Sequence, residues 1–142
     1  LPHYEVHPEG AEIYRDNLDM LAALCKSRDI QLVLAFQPGI TILERERSAV
    51  EQDYISGMNG STNYLAVYNQ SYPLYLGAMK DVATRYQVPF FDINSELKGV
   101  VPGQPLFVDD CHLNKSGSDL FAKEFSAKLF PIIDAAMAAK VR

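Results

Sequence analysis

The segment FVDDCHLNKSG, residues 107–117, places an acid and a histidine three positions apart, as Asp109 and His112. A carboxylate beside an imidazole fixes the imidazole tautomer and stabilises its protonated form. A histidine oriented in this way acts as a general base on a hydroxyl nucleophile. The spacing permits this contact without requiring it, so an exposed aspartate and a helix-flanking histidine with no catalytic role form the alternative interpretation.

Residues around this pair offer other chemistry. For Asp110, a solvated position or a contact with a helix N-terminus is the simpler interpretation. Cys111 precedes His112, but adjacent residues seldom face each other as a nucleophile and its base must. Asp109, Asp110 and His112 are also a candidate set of metal ligands, although no second cluster supports them. Asp92 ends an apolar run, and a structural role in a turn is expected for it.

Three serines lie next to glycines and are candidate nucleophiles: Ser56, Ser61 and Ser116. None follows a predicted strand and opens a helix, which is the arrangement of a nucleophile elbow. We therefore expect no nucleophile within the chain itself.

Two apolar runs, Ile30–Phe36 and Val88–Ile93, predict the strands that would position these residues. Nearly continuous apolar runs are typical of strands buried on both faces of a parallel sheet. A helix predicted over Ala11–Ser27 precedes the first run and indicates βαβ construction. Its apolar stripe comprises Tyr14, Leu18, Leu21 and Cys25, with Leu24 beside it.

Three further helices are predicted. One covers Thr62–Tyr86, begins after Ser61 as its cap, and should kink or divide at Pro73. Its tyrosines are expected in the core or along a half-buried wall. The last helix covers Lys115–Lys140 and should bend at Pro131.

The remaining predicted helix covers Ile42–Tyr54, between the first apolar run and the helix over Thr62–Tyr86. It is amphipathic, and glycines within Ser56–Ser61 should end it. Its charges alternate in sign, which favours a solvated face, with a mobile flap over a site as the alternative. The polar positions are Glu44, Arg45, Glu46, Arg47, Glu51 and Asp53.

Composition limits the class of protein. The chain has 142 residues, of which 48% are apolar and 22% charged, so a chain disordered throughout is not expected. A net charge of -5 with scattered Lys and Arg argues against a nucleic-acid partner. No apolar run has the length of a membrane span. The two cysteines, Cys25 and Cys111, predict free thiols, which weakly favours a reducing compartment.

Two strands are too few for the expected sheet. A parallel sheet needs neighbouring strands and helices on each face to cover strands of this kind. The chain also starts at Leu1 rather than at a methionine. We therefore expect residues 1–142 to be the C-terminal part of a single domain whose N-terminal strands lie upstream of Leu1. Any targeting segment would lie there too, so the compartment is undetermined.

FVDDCHLNKSGSDLFAKEF resembles the last block of the SGNH (GDSL) hydrolases, where Asp-x-x-His precedes Leu-Asn or Leu-Thr, a glycine and a helix. The order of the remaining segments is similar to that family as well. YRDNLDMLAALCKSRDIQLVLAFQPGI is similar to its helix followed by an inner strand ending in proline. VYNQSYPLYLGAMKDVATRYQVPFFDI is similar to its helix opening with Tyr-Asn and its next strand ending in Phe-Asp.

The resemblance implies a three-layer α/β/α fold with a parallel sheet, flavodoxin-like and incomplete in this chain. It implies a serine-dependent ester hydrolase in which His112 is the general base and Asp109 orients it. The partner would be a small acylated substrate, such as an ester of a carbohydrate or lipid, and no cofactor is expected. The Gly-Asp-Ser block is missing, so this chain alone should be inactive. The alternatives are an acyltransferase and a non-catalytic binding module of the same fold.

Overall fold

A computed structural model describes residues 3–97 and 100–140, which form five helices and two strands. In chain order the elements are α1 (Pro8–Ser27), β1 (Leu34–Phe36), α2 (Ala49–Ser61), α3 (Tyr64–Tyr86), β2 (Phe90–Asp92), α4 (Ile93–Glu96) and α5 (Lys115–Lys140). The fold is of the α/β class. Within these residues, no helix combines the length and the apolar character that crossing a membrane requires.

The two strands pair in parallel, with Leu34 opposite Phe90 and Phe36 opposite Asp92. Each strand is three residues long and covers only part of its predicted run. Burial of the first run on both faces was predicted and is wrong for the described residues, because Ile30 is 56% exposed and Ala35 is also exposed. Among residues 3–97 and 100–140, β1 pairs with β2 alone, so no strand covers its other edge there.

Helices pack against both faces of the strand pair. Leu34 belongs to a buried cluster with Val82 of α3 and Ala22 of α1. Phe91 points to the opposite face and meets Phe125 of α5 edge to face, with ring centroids 5.5 Å apart. The strand ends are therefore held between α1 and α3 on one side and α5 on the other.

Helix α1 begins three residues before the predicted start, at Pro8, where a proline at the first helical position loses no hydrogen bond. The stripe that faces the core also differs from the prediction. Cys25 is buried as expected, together with Ala22, whereas Leu21 and Leu24 are exposed. The small residues let α1 lie close to α3.

The helix predicted over Ile42–Tyr54 is wrong: residues 37–48 are irregular, and α2 runs from Ala49 through the glycines to Ser61. A capping box sets the start, since Ser48 accepts a hydrogen bond from the Glu51 amide and the Glu51 carboxylate accepts one from the Ser48 amide. The solvated face is also wrong for two charges, because Glu51 and Arg45 form a buried ion pair.

The two long helices lie close to their predicted bounds. Helix α3 is continuous through Pro73, so the predicted division is wrong, and its N-cap is Asn63 rather than Ser61. Helix α5 covers the predicted span and is likewise continuous through Pro131. The tyrosines of α3 form the expected wall, with Tyr72 buried and the others partly so.

Candidate active site

Backbone hydrogen bonds hold the segment that carries Asp109 and His112. The amide of Val108 donates to the carbonyl of His112 at 2.9 Å, and Phe107 forms an antiparallel bridge with Leu113. Residues 108–112 therefore form a narrow turn between two paired positions. The turn lies directly before α5, as the sequence predicted.

The buried carboxylate of Glu51 fixes the base of this turn. One of its oxygens accepts hydrogen bonds from the amides of Leu106, at 2.9 Å, and Phe107, at 3.1 Å. Because Glu51 lies in α2, these hydrogen bonds connect the backbone segment before the turn to that helix. Sequence reasoning missed this role, since the partners of Glu51 are 55 and 56 positions away.

The first turn of α5 packs directly on the same backbone. Asn114 accepts a hydrogen bond from the Gly117 amide at 2.9 Å and donates to the Pro105 carbonyl at 2.9 Å. A Cβ atom on Gly117 would overlap the carbonyl oxygen of Leu106. The glycine is required here by the close approach of helix and loop.

Asp109 and His112 are in contact. Oδ2 of Asp109 lies 2.7 Å from Nδ1 of His112. Oδ1 accepts the amide hydrogens of His112, at 2.7 Å, and Cys111, at 3.0 Å. An ionised carboxylate only accepts hydrogen bonds, so this geometry assigns the imidazole hydrogen to Nδ1 and leaves Nε2 as an acceptor. That is the tautomer a general base requires.

The Asp109 carboxylate is held in its charged form. Partial burial acts to raise its pKa, but the amides of His112 and Cys111 and the His112 ring outweigh burial, and the pKa is lowered. The Asp109 side chain is 35% exposed, whereas that of His112 is 72% exposed. The aspartate is thus fixed by the turn while the histidine remains accessible to a substrate.

Asp110 is partly exposed, and its carboxylate faces the side chain of Tyr64, the first residue of α3. Its carboxylate accepts a hydrogen bond from the Tyr64 hydroxyl at 2.8 Å, and its carbonyl accepts one from the Ile40 amide at 2.8 Å. Burial and the hydrogen bond to Asp110 raise the pKa of Tyr64 above its ordinary range. Asp110 therefore connects the turn to α3.

Cys111 lies beside the pair, with Sγ 3.8 Å from Nδ1 of His112. Burial, followed by the charges of Asp110 and Asp109, raises the pKa of the thiol. A raised pKa disfavours the thiolate that a cysteine nucleophile needs. This supports the prediction that Cys111 is not the nucleophile.

The ends of the two strands are connected by Asn94, which sequence reasoning did not identify. Its side chain accepts a hydrogen bond from the Gly39 amide at 3.0 Å and donates to the Gln37 carbonyl at 3.3 Å. Asp92 has the structural role expected for it, because it accepts the Asn94 amide at 3.2 Å and the Tyr72 hydroxyl at 3.1 Å.

An open groove of about 370 Å³ lies next to His112 at the carboxyl end of β1. Crevices at this end of parallel strands are where ligands bind in open α/β sheets. The groove contains two polar residues that sequence reasoning missed: Gln37, which donates to the Cys111 carbonyl at 3.2 Å, and Ser118. Its wall is otherwise largely apolar, with Ala35, Pro38, Ile93, Leu113 and Phe121.

The serines considered from the sequence lie in helices. Ser56 and Ser61 are in α2, and Ser116 is in the first turn of α5. Within residues 3–97 and 100–140, no hydroxyl donates a hydrogen bond to Nε2 of His112. Among the described residues, the oriented imidazole thus has no bound hydroxyl at Nε2.

Comparison with known proteins identifies no family. No family model matches the chain, and no curated protein is similar to it. Function is therefore inferred from the site.

Proposed function

We propose that this chain supplies the base and its orienting acid to a serine-dependent ester hydrolase of the SGNH type. The contact between Asp109 and His112 carries the proposal. At 2.7 Å from Nδ1, the carboxylate presents the free Nε2 to solvent in the form that accepts a proton. The groove beside it fits a small acylated substrate in size and in its apolar lining.

In the proposed reaction, Nε2 of His112 takes the proton of a serine hydroxyl as the serine oxygen bonds to the ester carbonyl carbon. The imidazolium then gives that proton to the leaving alcohol, and the ester C–O bond breaks. Water repeats the sequence on the acyl-enzyme, which releases the acid and the serine. Asp109 keeps its charge throughout and stabilises the imidazolium.

The serine would come from outside the described residues, together with further strands of the parallel sheet in a three-layer α/β/α fold. The open edge of β1 supports this part of the proposal, because its backbone groups are available for another parallel strand. Exposed apolar side chains occur on helices of both faces, including Met20 of α1 and Phe130 and Met137 of α5. Surfaces of this kind are expected where more of the same domain packs.

Ester turnover by the natural polypeptide that carries this sequence tests the proposal. Replacing His112→Ala should abolish hydrolysis of a chromogenic acetyl ester, because the variant lacks the imidazole that would take the serine proton. His7→Ala is the matched control, since His7 is exposed and its ring lies beside the exposed carboxylate of Glu9. Equal turnover by the His112 variant and the control would contradict the proposal.

A binding module that keeps the fold without catalysis is the second candidate. The observation that favours it is the free Nε2, which has no hydroxyl partner among the described residues. Wild-type protein without ester turnover, whose thermal stability nonetheless rises with an acylated ligand, would support the binding module.

A further inference from the structure

Cys111 has no task in the proposed hydrolysis, yet it lies within a cluster of potential metal ligands. A carboxylate oxygen of Asp109, Sγ of Cys111 and a ring nitrogen of His112 all lie within 4.8 Å of one another. The sequence had suggested Asp110 as a ligand instead, but that carboxylate is directed to Tyr64. In the structure, the third candidate ligand is therefore the sulfur of Cys111 and not an oxygen of Asp110.

A thiolate, an imidazole and a carboxylate form a donor set that suits Zn²⁺. Zinc bonds of about 2.0 Å to N and O and about 2.3 Å to S separate tetrahedral ligands by about 3.3 Å for N and O and about 3.5 Å for S and N. The present separations are 2.7 Å between Oδ2 and Nδ1 and 3.8 Å between Sγ and Nδ1. The O–N separation must therefore widen by about 0.6 Å and the S–N separation shorten by about 0.3 Å.

The turn permits this adjustment without unfolding. Oδ1 of Asp109 keeps the two amide hydrogens, so Oδ2 is the oxygen that can bind an ion. The His112 side chain is 72% exposed, which gives an ion access and leaves room for water as the fourth ligand.

We propose that Oδ2 of Asp109, Sγ of Cys111 and Nδ1 of His112 bind a thiophilic divalent cation such as Zn²⁺, and that the bound ion blocks the base. The inhibitory part rests on the proposed function. On binding, the Cys111 thiol releases its proton to solvent, and the imidazole hydrogen moves from Nδ1 to Nε2. An Nε2 that carries hydrogen cannot take a proton from serine, so ester hydrolysis stops until a chelator removes the ion.

Binding is tested directly with Co²⁺, whose charge-transfer band reports a thiolate ligand, and with zinc analysis after dialysis. The wild type should show the band and bind about one Zn²⁺. Cys111→Ser should lose the band and bind Zn²⁺ about 10- to 100-fold more weakly, because it loses a ligand to the ion. Cys25→Ser is the matched control, since Cys25 is buried in α1 away from the cluster, and it should bind as the wild type does.

Inhibition is measured as the ratio of ester turnover with and without Zn²⁺ in the natural polypeptide. This ratio should be about 0.1 or lower in the wild type and in Cys25→Ser, because bound zinc blocks the base. In Cys111→Ser, which binds zinc weakly, the ratio should be about one. Absence of the cobalt–thiolate band, or equal zinc binding by Cys111→Ser, would overturn the site. Zinc bound through Cys111 with unchanged turnover would overturn the block of the base. If zinc binds as expected but no sample hydrolyses ester, the proposed function fails while the metal site stands.

Discussion

Replacing Glu51→Gln should remove much of the stability of the segment that carries the site. The Glu51 side chain is 1% exposed and forms an ion pair with Arg45, whose side chain is 6% exposed. It also accepts hydrogen bonds from the amides of Ser48, Leu106 and Phe107. Glutamine has one acceptor oxygen, so at least one of these amides would face an NH₂ group, and the Arg45 charge would lose its partner.

Two arguments give the magnitude. Breaking a buried ion pair on one side costs about 3–5 kcal/mol. Burial acts to raise the pKa of Glu51, but the Leu106 amide, Arg45 and the other donors outweigh it and lower the pKa to about 2. Compared with an ordinary value of 4.5, that shift corresponds to about 3 kcal/mol. We therefore expect Glu51→Gln to lower the free energy of unfolding by about 3 kcal/mol at pH 7.

The pH dependence has a fixed sign. Because the folded-state pKa is lowered, the contribution of Glu51 is complete above pH 4.5 and is lost as the pH falls toward 2. Between pH 5 and pH 3 the wild type should lose about 2 kcal/mol through this group. The variant lacks the titration, so its deficit should shrink from about 3 to about 1 kcal/mol.

Urea unfolding followed by circular dichroism at pH 7, 5 and 3 measures these differences. Glu44→Gln is the matched control, because Glu44 is an exposed glutamate shortly before α2. This substitution should change the free energy of unfolding by less than about 0.5 kcal/mol. A Glu51→Gln deficit below about 1 kcal/mol at pH 7, or a deficit that is constant with pH, would refute the reasoning.

The other predictions concern the loop–helix contact and the orienting acid. Gly117→Ala should destabilise the fold by about 1–3 kcal/mol, because its Cβ would overlap the Leu106 carbonyl oxygen. Gly57 lies in α2, and a Cβ atom there would meet no neighbouring atom, so Gly57→Ala should stabilise the fold by about 0.5–1 kcal/mol. In thermal unfolding, the melting temperature should therefore fall for Gly117→Ala and rise for Gly57→Ala. Asp109→Asn should keep the turn but lower kcat/KM for ester hydrolysis on the order of 10⁴-fold. The asparagine NH₂ group would face Nδ1 of His112, so the imidazole hydrogen would move to Nε2. A loss of less than tenfold in steady-state assays would exclude Asp109 as the orienting acid.

The parts of the structure that depend on local sequence could be predicted from it. The 3.6-residue period of α3 and α5 places both helices within two residues of their observed ends. Asp109 and His112 are three positions apart, so one turn is sufficient to bring them together. Both features involve interactions over short separations along the chain.

The parts that depend on distant partners were predicted poorly. A charged residue in a run of alternating charges normally faces solvent. Burial of Glu51 is favourable because Arg45 and several backbone amides, two of them from distant residues, meet its carboxylate. The strand lengths depend on pairing, which the apolar runs do not encode, and β1 pairs on one side only within the described residues. The groove residues Gln37, which follows β1, and Ser118 of α5 are far apart in the sequence and line one groove only in the folded chain.

Intact-mass analysis after treatment with a fluorophosphonate tests the central claim most directly, because this probe reacts with an activated serine. In the natural polypeptide, or in a companion chain bound to it, we expect one adduct on a serine outside the described residues, lost in His112→Ala and retained in His7→Ala. An adduct that forms equally well in His112→Ala, or no adduct on any species, would contradict the claim that His112 is the base of a serine hydrolase.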